Sequence, residues 1–153
     1  MKNEYREFFK DSFTEHLKQF GNIDAEYMGV NNTQNKDDAI FVSSIIGLIG
    51  DVEGSVVLSF SQRLSLKIAS TMLMEEIDEI NYNARDALGE FANIVVGNAR
   101  NKLVDVGFDV KISPPTIIVG QKHEIFYPPK TLLDELVFGF KDERFYLTIG
   151  IKG

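Results

Sequence analysis

NARDALGEFANIVVGNARNKLVDV, residues 83–106, reads as one long amphipathic helix of about six turns. At ~100° per residue, Glu90, Asn93, Gly97 and Asn101 fall within roughly 60° of Asp86 on one side. Leu88, Phe91, Ala92, Val95, Val96, Ala99 and Leu103 fill the opposite arc and are bound for a core. The polar side therefore carries two carboxylates and a carboxamide in sequence. Proline and clusters of β-branched residues, which would argue for a strand, are absent from the first half of the stretch.

The spacing on the polar side has chemical content. Glu90 and Asn93 stand at i and i+3, so their Cβ atoms lie about 5–6 Å apart and point the same way. The acid can pair with a cation, and the amide can hold a water by donating and accepting hydrogen bonds. Gly97 takes no volume one turn on, leaving room for a partner surface. On the helical pattern alone, an ordinary solvated face also accounts for Glu and Asn. Against it stands the presence of Asn93, Asn98 and Asn101 in one helix, because Asn is a poor interior helix former.

The run Asp86-x3-Glu90-x2-Asn93, set in DALGEFANIVVGNA, resembles the signature of the CheC/CheX/FliY phosphatases of bacterial chemotaxis, and CheX in particular. Residues 54–73, GSVVLSFSQRLSLKIASTML, are similar to the strand-plus-helix unit that precedes the catalytic helix there, so the resemblance covers most of the chain. One departure is visible. The family pattern has a proline 23 positions after the asparagine, where this chain has Thr116, with Pro114 and Pro115 just before it. The resemblance implies a CheC-like fold and removal of phosphate from the aspartyl-phosphate of a CheY-like response regulator. It assigns Asn93 to orienting the attacking water and Glu90 to pairing with the receiver's lysine; Asp86, Gly97 and Asn101, which share the helix face, are expected on the contact surface. It further implies a homodimer with one active face per chain. No cofactor or metal is then held by this chain, the Mg²⁺ belonging to the partner receiver domain.

Bulk properties narrow the field independently. At 153 residues the chain is most simply one domain, 1–153, large enough to build a core without metal or disulfide. The absence of Cys removes disulfides, thiol nucleophiles and Cys-ligated zinc, and two His, His16 and His123, make a His-rich metal cluster improbable. A net charge of −7 opposes binding to nucleic acid. The charged N-terminus MKNEYREFFKDSF is not a signal peptide, and no apolar run approaches the ~20 residues of a membrane span. The expected location is the cytoplasm, where the sequon Asn31-Asn32-Thr33 has no meaning.

Outward from the central helix, residues 3–20 form a helix with Tyr5, Phe8, Phe9, Phe13, Leu17 and Phe20 near one face, ended by Gly21. Strands are expected over 23–33, 39–49 and 55–60, joined by the polar turn at 31–38 and the glycine-flanked turn at 50–54. A helix over 61–73 has Ser61 as N-cap, followed by the acidic link MEEIDEIN. Beyond the central helix come strands at 108–112 and 116–119, a strand or extended loop at 121–127, and a closing hairpin of 132–140 and 144–151. This order predicts an α+β fold, helices packed on one side of a mainly antiparallel sheet, with an internal pseudo-repeat of helix plus strands. The first helix offers Glu7-x2-Lys10 and Glu15-x2-Lys18 where a second site needs Glu-x2-Asn.

Other chemical signals are weaker. Gly47, Gly50 and Gly54 fit neither a dinucleotide loop nor a P-loop. Ser59 and Ser61 have no nearby His/Asp arrangement, His123-Glu124 is an isolated pair, and Asp86 with Glu90 on an open helix face offers no cleft for a sugar. Two alternatives to an enzyme stay open: a non-catalytic adaptor for a regulator or flagellar switch component, and a structural homodimer in which strand 144–151 adds across subunits.

Overall fold

The computed structural model describes residues 3–31 and 37–153. In chain order these form α1 (Asn3–Gly21), β1 (Glu26–Asn31), β2 (Ile40–Gly50), β3 (Gly54–Ser61), α2 (Gln62–Leu73), α3 (Tyr82–Asp105), β4 (Val110–Ile112), β5 (Thr116–Val119), β6 (Thr131–Phe140) and β7 (Glu143–Lys152). The fold is α+β, three helices on one face of an antiparallel sheet ordered β1-β6-β7-β3-β2-β4. The long β2 serves two partners on its outer side. Its end, Leu48–Gly50, pairs β4. Its beginning, Val42–Ile45, pairs β5. Pro114-Pro115, which cannot donate to a ladder, fall in the gap between those two short strands.

Exchanging β1, β2 and β3 for β4/β5, β6 and β7 turns the strand order into its own reverse, and each set follows a long helix. A helix-plus-strands repeat related by a two-fold axis would produce that order.

Alternation along the strands sets the two faces. Val42, Ile46 and Leu48 on β2, Val56, Leu58 and Phe60 on β3, and Phe145, Leu147 and Ile149 on β7 join the core with α1, α2 and α3. The aromatic stripe of α1 is its centre: Phe13 meets Phe60, Phe138 and Phe145 at ring-centroid distances of 5.9, 5.1 and 5.9 Å. Every residue of the apolar arc expected for the central helix is buried.

Ser61 caps α2 through its hydroxyl, which accepts from Leu64 N at 3.2 Å. Gly54 sits at φ +156° where a Cβ would strike the Gly150 carbonyl of β7, so glycine is what lets β3 start flush against its neighbour.

Two expectations need adjustment, one open alternative resolves, and one segment goes largely undescribed. Gly21 remains inside α1, packed against Ile23 and Ile68, and the left-handed residue that ends the helix is Asn22 at φ 52°. Segment 121–127 takes the loop form, because it crosses the back of the sheet and not its edge. Strand 144–151 lies within β7, hydrogen-bonded to β3 on one side and β6 on the other, so it has no free edge to offer a second subunit. The polar turn at 31–38 falls largely outside the described residues. No helix among the described residues is long and apolar enough to cross a membrane.

Candidate functional site

Helix α3 is fixed at its start by Asn81, whose Oδ1 accepts from Ala84 N at 2.9 Å. Its apolar arc is pinned along its length, down to Leu103. A helix held so firmly presents its remaining face in a single orientation, and that face opens on a groove of about 390 Å³. Tyr82, Arg85, Asp86, Gly89, Glu90 and Asn93 supply the helix wall, with Pro115 and Ile117 opposite.

Asp86, Glu90 and Asn93 are thus brought together. Asp86 and Glu90 are exposed and Asn93 is half-buried on the groove. Neither the Glu90 carboxylate nor the Asn93 amide bonds or pairs with any group among the described residues. Both are left with full hydrogen-bonding capacity toward something outside the chain. Gly97 and Asn101 lie outside the groove. The half-buried Gly97 faces Ile112 of β4, with ordinary room for a methyl. Asn101 Oδ1 accepts from Arg100 Nη1 at 3.2 Å. Asn98, on the same helix, turns inward with a buried Oδ1 that finds no partner among the described residues.

The far wall was not visible from helical spacing. Gly89 is buried, and a Cβ there would lie 3.2 Å from Pro115 Cγ and 3.6 Å from Ile117 Cδ1. The missing side chain lets the start of β5 close onto the helix one residue from Glu90. A glycine inside a helix costs about 1 kcal/mol relative to alanine, and that cost was the available signal. The shifted proline also finds its place: Pro115 forms the wall and Thr116, exposed, opens β5. Arg85 Nη1 donates to Ile80 O at 3.2 Å, which ties this cation of the groove to the loop before α3. Among the described residues no group of His, Asp and Glu is arranged to hold a metal ion. What the groove can do is position: a free acid and a free amide, one turn apart on a rigid wall.

Comparison with known proteins gives the family. The family model for chemotaxis phosphatase CheX matches residues 42–140. The CheY-P phosphatase CheX of Thermotoga maritima is 33% identical over 110 residues, covering 71% of this chain and 70% of that protein. A CheC-like superfamily protein from Shewanella sp. PV-4 superposes with a TM-score of 0.89 at 28% identity, over all of both chains. The Borrelia burgdorferi CheX–CheY–BeF3–Mg²⁺ complex matches with a TM-score of 0.83 at 27% identity, over 97% of this chain and 98% of that chain. The fold is that of the CheC-like superfamily. More narrowly, the chain belongs to the CheX family of chemotaxis phosphatases, and as such it is a hydrolase.

Proposed function

We propose that this chain dephosphorylates the aspartyl-phosphate of a CheY-like receiver domain, with Asn93 orienting the attacking water and Glu90 pairing with the receiver's lysine. The observation that carries the assignment is the pair itself, Glu90 and Asn93 unengaged on one rigid helix wall. The names of the Thermotoga and Borrelia relatives support the substrate.

An acyl phosphate is already reactive, so acceleration needs mainly a water held in line with the scissile bond and charge neutralisation on the phosphoryl oxygens. Neutralisation belongs to the receiver, whose Mg²⁺ and lysine sit at its own phosphorylation site, and this chain supplies no metal. The carboxamide of Asn93 donates to and accepts from one water, which fixes the direction of attack as glutamine does in GTPases. The Glu90 carboxylate makes a charge-assisted bond to the lysine ammonium and sets the register of α3 on its partner. Asp86 rims the same contact. Neither Asn93 nor Glu90 acts as a general base.

We read residues 1–153 as a single domain working in the cytoplasm, paired as a homodimer through an outer strand. Of the outer strands, β1 exposes Tyr27, Met28 and Val30. Adding the chain to a phosphorylated CheY-like receiver in Mg²⁺ should speed phosphate loss well above spontaneous decay. Binding without acceleration would mean an adaptor instead.

A further inference from the structure

Two residues at the start of α3 stand where helix stability and burial would not put them. The first turn holds no acid, and Arg85 closes it, although the positive end of the helix dipole favours carboxylates there and disfavours a cation. Tyr82, three residues earlier and on the same side, is 72% exposed. Both line the groove that also holds Glu90 and Asn93.

The Arg85 guanidinium is oriented but not satisfied. Its Nη1 donates to Ile80 O at 3.2 Å, the hydrogen bond it makes among the described residues, so most of its N–H donors are left open. Asp78, Glu79 and Asp86 are close in sequence, yet Arg85 forms an ion pair with none of them among the described residues. An exposed fork of donors, held by one carbonyl and facing a groove, suits a carboxylate brought from outside, which it can take with two parallel bonds.

Position indicates where that carboxylate comes from. Arg85 precedes Glu90 by five residues, about 7.5 Å along the helix axis. A surface that reaches Glu90 with a lysine therefore lies over Arg85 with its neighbouring patch. Two contacts of opposite sign fix register, and they repel a surface whose charges are exchanged. Tyrosine and arginine are also the residue types on which binding energy tends to concentrate.

We infer that Arg85 determines which receiver this chain accepts, by taking a carboxylate on the receiver surface beside the phosphorylation site, with Tyr82 packed against the same patch. This rests on the receiver reading of the groove and adds to it the sign of charge a cognate receiver must carry.

Steady-state dephosphorylation by the full chain tests it, with a phosphorylated CheY-like receiver as substrate and Asn93→Ala as the control for the underlying reading. Arg85→Glu should raise KM at least ~10-fold and leave kcat within ~2-fold, because the contact is the same in ground and transition states. Arg85→Lys should keep only part of the affinity, since an ammonium lacks the fork. Changing the receiver's surface carboxylates one at a time to lysine should find one substitution that restores the KM of Arg85→Glu and impairs the parent chain. The unfolding temperature of Arg85→Glu should lie at or above the parent's, since an acid suits the first turn, and Arg85→Gln replaces it if stability falls. An unchanged KM overturns the inference, as does a fall in kcat with KM intact, or a receiver with no restoring substitution. If the parent fails to speed phosphate loss, or Asn93→Ala matches it, the receiver reading itself is at fault and the role of Arg85 falls with it.

Discussion

Asn93 and Glu90 differ in what they are asked to do, and single substitutions separate the two roles. Glu90→Gln keeps the size of the side chain and removes its charge. A hydrogen bond to a charged group contributes about 1.5–3 kcal/mol, so the Kd for the receiver should rise by about tenfold or more. Titration with the receiver checks this, and an unchanged Kd would remove the anchoring role. Gly89 makes a different test because its two effects oppose. In Gly89→Ala the helix gains up to ~1 kcal/mol of propensity, yet the new methyl meets Pro115 at 3.2 Å and pushes that wall outward. The expected variant is at least as stable as the parent to heat and several-fold slower on the phosphorylated receiver. A drop in stability with full turnover would show that the wall is structural only.

Tyr127 belongs to the same scale. Burial first, and Glu135 second, push its phenol up to about 12, and its hydroxyl has no partner among the described residues. A folded-state value above the unfolded value of about 10 means stabilisation that is complete below pH ~10 and is lost as pH rises toward 12. Tyr127→Phe should therefore leave neutral-pH stability unchanged or raised and flatten the decline between pH ~10 and ~12 in denaturant titrations. An unaltered alkaline decline would contradict the burial argument.

Among the elements, the helices and most strands were legible and the order of the strands was not. The apolar arc of α3, the stripe of α1 and the Ser61 cap of α2 are local patterns, fixed by neighbours three or four residues away. The caps carry a measurable share of stability. Ser61→Ala and Asn81→Ala should each cost about 1 kcal/mol and lower the unfolding midpoint, and an unchanged midpoint in both variants would refute the capping role. Strand order escaped the sequence because pairing joins distant residues. Asn31 meets Glu135 across 104 positions, and alternation along 144–151 says which face is buried but not how many neighbours the strand has. The candidate site divided in the same way. Asp86, Glu90 and Asn93 share one helix face and could be read from spacing, whereas Pro115 and Ile117 reach them through the fold. His123 looked isolated because its partner Ser43 lies 80 residues away.

For the whole molecule, the arrangement is a sheet with two occupied faces. On one, the core presses α3 outward and leaves its polar wall rigid. On the other, a loop roofs a polar cavity. A net charge of −7 gives the surface an overall negative field, so association with a receiver through its lysine should weaken as salt rises, with the on-rate more sensitive than the off-rate. Stopped-flow binding at low and high ionic strength reads this directly, and a salt-independent on-rate would argue against steering. With β7 interior, pairing of subunits through the sheet falls to the outer strands, and the mass in solution should be twice the 17.3 kDa of the chain.

The most direct measurement follows phosphate loss from a phosphorylated CheY-like receiver under saturating Asn93→Ala beside the parent chain. Positioning of the water by one amide predicts a turnover reduced at least ~100-fold, about 3 kcal/mol of barrier, with receiver affinity and unfolding temperature little changed. Near-normal turnover in a folded Asn93→Ala chain would contradict the mechanism.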